Sequence, residues 1–133
     1  MVNDSVKKNW VTSLYIMWQL IGLSIIQSVM LSLGQLTLKL ALAKMPPFSW
    51  STHFWGDLLT NWWFMLCGLL FGGASVLWMY ILKHFPLSMA YPMASMGYVF
   101  GLIMAVVFLH ETVAWNRWIG VGLIMIGCVF VAK

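Results

Sequence analysis

Four long apolar blocks, separated by short polar links, dominate the pattern of hydrophobic and polar positions along the chain. They cover residues 14–43, 58–82, 88–109 and 118–131. A helix that crosses a hydrocarbon core of about 30 Å needs roughly 20 apolar residues, and the first three blocks reach that length. The fourth block is shorter and needs Trp115 and Arg117 at the membrane interface to complete a span. The pattern predicts an all-α membrane protein with a single four-helix transmembrane domain over residues 1–133.

The composition agrees with this fold class, because 62% of the 133 residues are hydrophobic and 8% are charged, whereas soluble domains carry about 25% charged residues. The links are too short for a soluble domain, so we expect no nucleotide-binding fold on this chain. No grouping of nucleophile, base and acid is visible, which argues against an enzyme. Cys67 and Cys128 lie inside apolar blocks without companions at ligand spacing, so we expect no disulfide, metal or cofactor.

The basic residues predict the topology of the four spans. The net charge of +4 comes from side chains next to membrane blocks rather than on one soluble face, so we expect no nucleic-acid partner. With four spans, both chain ends and the link after the second block share one side, which carries Lys7, Lys8, Lys83 and Lys133. The other side carries Lys44 and Arg117, with Lys39 deeper. The positive-inside rule therefore predicts cytoplasmic termini.

Polar residues follow one face of the first block toward its carboxyl end. Helical steps of three and four residues place in line Ser24, Ser28, Ser32, Gln35 and Lys39. A lysine inside a membrane costs about 3 kcal/mol and normally faces a partner, a bundle interior or a wet cavity. We therefore expect Lys39 to meet a counter-charge or an anionic ligand. The alternative is that its stem carries the ammonium to the interface near Lys44.

The third block carries two stripes of side chains. One is a packing face of small residues, namely Ala90, Ala94, Gly97, Gly101 and Ala105. The other carries four hydroxyls, those of Ser88, Tyr91, Ser95 and Tyr98, which suit either hydrogen bonds between helices or a substrate groove. Pro92 cannot donate to the carbonyl of Ser88, so we expect a kink there.

Glu111 follows the end of the third block. Odd-numbered spans run in the same direction, so Glu111 reaches the membrane side of Lys39. An ion pair between them is the prediction, and the alternative places Glu111 in water beside Arg117. In the fourth block, Gly120 and Gly127 lie on one face and predict close packing against another helix, as in a dimer interface.

Three motifs give the chain a family resemblance. They are Gly34-Gln35-Leu36-x-x-Lys39, Pro86-Leu87-Ser88-Met89-Ala90-Tyr91-Pro92, and Glu111 followed by Trp118-Ile119-Gly120. These resemble the drug/metabolite transporter superfamily in its four-helix form and, more closely, subunits of the 4-amino-4-deoxy-L-arabinose-phosphoundecaprenol flippase. Small multidrug transporters are of similar size, but their substrate site centres on a glutamate in the first helix. This first block has none, and Lys39 suits an anion instead.

The resemblance implies a flippase that moves a polyprenyl-phosphate-linked sugar across the bacterial inner membrane. It implies a homodimer, or a heterodimer with a paralogous four-helix subunit, surrounded by membrane lipid. The residues expected to bind the lipid-linked sugar phosphate are Lys39, Gln35, Tyr91, Ser95, Tyr98 and Glu111. Two alternatives stay open. One is a small multidrug or organic-cation exporter that uses Glu111 or Asp57, and the other is a non-transporting accessory subunit of a membrane complex.

Overall fold

The computed structural model describes residues 4–132, with side chains described for residues 9–131. This part of the chain is helical and contains no strand. Its helices are α1 (Asp4–Ala43), α2 (Thr52–Thr60), α3 (Trp62–His84), α4 (Leu87–Ala94), α5 (Met96–Leu109) and α6 (Trp115–Ala132). The side chains of Lys7, Lys8 and Lys133, on which the predicted topology depends, lie outside the described residues.

Three stretches of helix are long and apolar enough to cross a membrane. They are Asn9–Ala43, Trp62–His84 and Leu87–Leu109, while the apolar helix Trp115–Val131 is shorter than a full span. The chain is therefore a multi-pass membrane protein. The fourth span remains a prediction, because Trp115–Val131 needs flanking interfacial residues to cross the core.

Asn61 separates the short helix α2 from the long helix α3. Its side-chain carbonyl accepts from the backbone N–H of Trp63 at 3.0 Å, which caps the amino end of α3. Its amide nitrogen donates to the carbonyl of Ala41 at 3.4 Å, near the end of α1. α3 thus begins at Trp62, whereas the predicted second block begins at residue 58.

The third apolar block is interrupted at Ser95, which lies between α4 and α5. Pro92 itself lies inside α4, so the interruption comes about one turn beyond the proline. The Ser95 hydroxyl donates to the carbonyl of Pro92. A side chain that bonds to the local backbone in this way competes with the helical ladder, which accounts for the position of the break.

The packed interior of the molecule lies between α1, α3 and α4. Leu20, Ile81, Phe85 and Ala90 form its buried apolar cluster. α1 and α3 approach closely at Gly34, where an added Cβ would meet the ring of Phe71 at 3.4 Å. No described residue of α5 or α6 is fully buried. These two helices therefore keep faces that are free for lipid, a ligand or another subunit.

Candidate functional site

Two adjoining cavities lie between α1 and the α4–α5 segment. They measure about 390 Å³ and about 500 Å³, and Ser32, Gln35 and Gly101 line both of them. Because they share these walls, the two cavities form one continuous depression, which we call the α1–α5 groove. The sequence predicted six substrate-binding residues, and all of them line this groove: Gln35, Lys39, Tyr91, Ser95, Tyr98 and Glu111.

An ion pair closes one end of the groove. The ammonium of Lys39 contacts the carboxylate of Glu111, and the two side chains are 55% and 39% exposed. The predicted ion pair is thus confirmed, and Glu111 pairs with Lys39 rather than with Arg117. A charge opposite Lys39 is what a lysine at this depth requires, because an unpaired ammonium in a membrane is costly.

The end of α5 brings Glu111 to this position. His110 adopts a left-handed backbone conformation with φ of 51° and terminates the helix. The carbonyl of Ala105 accepts from the backbone N–H of His110 and, at 3.1 Å, from that of Glu111. This turn folds the chain back at the helix end, so Glu111 lies against α1 instead of continuing along the axis of α5.

Small residues form the wall of the groove on the α5 side. Gly97 and Gly101 line it, and an added Cβ at either position would have no atom within 4 Å. The hydroxyl of Ser32 donates to the carbonyl of Gly97 at 3.4 Å, which joins α1 to α5 beneath the groove. The sequence predicted that these glycines pack against a neighbouring helix. The contact between Ser32 and Gly97 agrees with this prediction, and the groove lies beside both glycines.

Tyrosine side chains line the other end of the groove. Tyr91 and Tyr98 are 61% and 63% exposed, and neither hydroxyl has a hydrogen-bond partner among the described side chains or backbone. The ring of Tyr91 packs edge-to-face against Trp78, with 5.7 Å between the ring centroids. The tyrosine hydroxyls are therefore available to a ligand, whereas Ser95 is engaged with Pro92 and Cys128.

The polar residues in line on α1 lie in different surroundings along the helix. Ser32, Gln35 and Lys39 line the groove, but Ser24, Gln27 and Ser28 are buried at 0%, 4% and 0% exposure. The two serine hydroxyl oxygens and the Gln27 side-chain carbonyl oxygen have no hydrogen-bond partner. An unpaired buried polar group costs about 1–3 kcal/mol. Sequence reasoning did not single out Gln27, although it lies three positions after Ser24 in an apolar block.

The two acidic residues that the exporter alternative could use lie in different places. Asp57, which the exporter alternative could use, contacts His53 at 3.0 Å on α2 and does not line either cavity. Within the described residues, His, Cys, Asp and Glu side chains form no cluster of three or more that could hold a metal ion. Of the two acids that alternative could use, only Glu111 lines the groove, and it is paired with Lys39.

Comparison with known proteins gives the family. The model of the EamA-like transporter family matches residues 9–133. The chain is 37% identical over 89 residues to a probable 4-amino-4-deoxy-L-arabinose-phosphoundecaprenol flippase subunit ArnE of Aeromonas salmonicida, covering 65% of this chain and 77% of the relative. It is 32% identical over 113 residues to a probable subunit ArnF of the same flippase from Proteus mirabilis, covering 78% and 84%. No solved structure matches. The chain belongs to the EamA-like transporter family.

Proposed function

We propose that this chain is a subunit of a flippase that moves a polyprenyl-phosphate-linked aminosugar, of the aminoarabinose type, across the bacterial inner membrane. The observation that carries the proposal is the α1–α5 groove, in which the Lys39–Glu111 ion pair and the free tyrosine hydroxyls share one depression. The similarity to subunits ArnE and ArnF, whose names state this activity, supplies the substrate class.

The chemistry of the groove suits a phosphate. A phosphate in a medium of low dielectric constant needs a cation and hydrogen-bond donors, which Lys39, Gln35, Tyr91 and Tyr98 supply. In the empty groove Glu111 neutralises Lys39. An arriving phosphate replaces the carboxylate as the partner of the ammonium, so one ion pair is exchanged for another and the electrostatic cost of loading is small.

The exchange also gives Glu111 a partner. The headgroup named for the relatives contains a phosphate and an amino group on the sugar, and the groove contains one cation and one anion that contact each other. When the phosphate takes Lys39, the freed carboxylate accepts the ammonium of the sugar. A headgroup with both charges therefore leaves neither side chain unpaired, whereas a neutral sugar leaves Glu111 without a cation.

Two measurements on the purified full chain test the proposal. Native mass spectrometry of protein extracted from its own membrane should show a retained polyprenyl-phosphate lipid. Reconstituted liposomes, with and without a paralogous subunit, should move aminoarabinose-phosphoundecaprenol between leaflets. Export of quaternary ammonium compounds without lipid movement would favour the exporter, and lipid movement only in a complex that tolerates loss of this groove would favour the accessory subunit.

A second subunit is part of the proposal, because four helices are too few to enclose a path for a sugar headgroup. In this arrangement α6 is the fourth span, both termini are cytoplasmic, and Gly120 and Gly127 form the interface. What supports the interface is that no described residue of α6 is fully buried, unlike α3, and that an added Cβ at either glycine would meet no atom within 4 Å. The partner is a second copy or a paralogue, as the pair of names ArnE and ArnF suggests.

The association has its own test. Gly127→Leu should weaken cross-linking between subunits while insertion stays normal, because a bulky side chain separates backbones that pack closely. Gly68→Leu is a matched control, since Gly68 of α3 also has nothing within 4 Å. Equal cross-linking in both variants would move the interface away from α6. A reporter fused after Lys133 should behave as cytoplasmic, and a periplasmic signal would reverse the topology.

A further inference from the structure

A second cavity lies on the opposite side of the α4–α5 break from the groove. It measures about 300 Å³ and differs from the groove in being lined by methionines and apolar side chains, namely Met17, Pro92, Met93, Met96, Met125, Cys128 and Val129. We call it the methionine cavity. Methionine is unbranched, flexible and polarisable, so a wall of methionines adapts to an irregular apolar ligand.

A side-chain contact joins a lining residue of the methionine cavity to a lining residue of the groove. Ser95 lines the groove, Cys128 lines the methionine cavity, and the Ser95 Oγ and Cys128 Sγ atoms lie 2.7 Å apart. On α4 and α5 the two cavities share no lining residue, because alternate sides of the same segment face them. A ligand that occupies both would have its polar part on one side of Ser95 and its apolar part on the other.

The distance from the ion pair to the far end of the methionine cavity, at Met17, selects the kind of lipid. α1 is one continuous helix, and it rises about 33 Å from Met17 in the methionine cavity to Lys39 at the ion pair. This is about the thickness of a hydrocarbon core, which is roughly 30 Å. The acyl chain of a phospholipid whose phosphate lies at Lys39 ends near the middle of the bilayer. A polyprenyl chain is long enough to continue to the opposite leaflet.

We propose that the methionine cavity binds the distal part of a polyprenyl chain whose phosphate is held at Lys39, and that the Ser95–Cys128 contact divides the headgroup path from the chain path. This inference rests on the proposed function, which supplies the polyprenyl ligand. It adds a site for the chain itself, so recognition extends beyond the headgroup and distinguishes polyprenyl lipids from the phospholipids around them.

Two photoactivatable lipids test the inference on the purified full chain in phosphatidylcholine nanodiscs. Each is an undecaprenyl phosphate with a diazirine, placed on the terminal isoprene unit in one and on the unit next to the phosphate in the other. After irradiation, mass spectrometry should find the terminal label on the methionine-cavity segments 92–96 and 125–129. The proximal label should fall on the groove end near Lys39 and Glu111. An excess of dioleoyl phosphatidic acid should compete with the proximal label only.

Filling the cavity should remove the terminal label. For Met96→Trp, and separately for the milder Met125→Phe, the expected loss is about tenfold, the equivalent of about two methylene groups no longer buried. Met79→Trp is the matched control, because Met79 is 63% exposed on α3 and does not line the cavity. The control should keep the wild-type labelling pattern, and the proximal label should be unchanged in all three variants.

Two results would overturn the inference. One is a terminal label spread evenly over lipid-facing residues such as Leu69 and Val76. The other is a Cys128–Cys128 cross-link between copies in a Cys67→Ala background, formed at the expense of the terminal label, which would mean that a second subunit covers the cavity. The position of the proximal label tests the proposed function separately. If it misses the Lys39 end while the terminal label stays in the cavity, the headgroup site is wrong and the chain site stands.

Discussion

The line of polar residues on α1 has two halves in opposite surroundings. We call residues 32–39 its open half and residues 24–28 its closed half. Toward its carboxyl end, Lys39 has a partner and Gln35 faces an open groove. In the middle, Ser24 and Ser28 are fully buried and their hydroxyls have no partner. In the open half Lys39 is paired and the groove is accessible, whereas in the closed half the hydroxyls are inaccessible and unpaired. Any state in which the hydroxyls of the closed half meet a hydrogen-bonding group, such as a sugar passing inward from the groove, is therefore lower in free energy than this one.

Removing the cation from the open half should have the largest effect. Lys39→Leu should lower the rate of lipid-sugar translocation in liposomes about 100-fold, because loss of one member of a charged pair costs about 2–5 kcal/mol. Lys39→Gln should lower it less, since an amide still donates a hydrogen bond. Lys44→Leu is the control, because Lys44 lies over the ring of Trp63, at 5.2 Å from its centroid, and does not line the groove. Wild-type transport by Lys39→Leu would place the phosphate elsewhere, first at Tyr91 and Tyr98.

Neutralising Glu111, the partner of Lys39, should change the specificity of transport more than its rate. Glu111→Gln should reduce the preference for an aminoarabinose-linked lipid over the same lipid with a neutral pentose by about tenfold, which corresponds to one weak ion pair. Transport of the neutral-sugar lipid should stay the same or increase, because the phosphate no longer competes with a carboxylate for Lys39. Competition between the two lipids in one liposome preparation measures the ratio. An equal loss for both lipids would mean that Glu111 only holds the helix end in place.

The smallest effect compares two serines on the same helix. Ser28→Ala should raise the free energy of unfolding by about 1 kcal/mol, because it removes a buried hydroxyl without a partner. Ser32→Ala should lower it by about 0.5–1 kcal/mol, because the Ser32 hydroxyl donates to Gly97. Denaturation in mixed micelles measures both variants. If Ser28→Ala is the more destabilising of the two, the middle of α1 is not a closed, unsatisfied region.

Sequence reasoning could predict the helical fold from local signals, and the groove residues from those signals together with the topology of the spans and the family resemblance. Span length follows from hydropathy, and the approach of Lys39 to Glu111 follows from the common direction of odd-numbered spans. The breaks at Asn61 and Ser95 depend on which side-chain hydrogen bonds form, and no periodicity contains that information. For the same reason the burial of Ser24 and Ser28 could not be predicted, since it depends on which helices α1 meets along its length.

The left-handed turn at His110 has a consequence for how the groove works. A residue other than glycine in this conformation stores about 1–3 kcal/mol of backbone strain. The two backbone N–H groups bonded to the carbonyl of Ala105 stabilise the turn. Glu111 is therefore preorganised by the backbone, so its carboxylate can leave Lys39 without unwinding α5. In the proposed exchange, the backbone of the helix end stays in place and only the Glu111 side chain has to rotate, from Lys39 to the ammonium of the sugar.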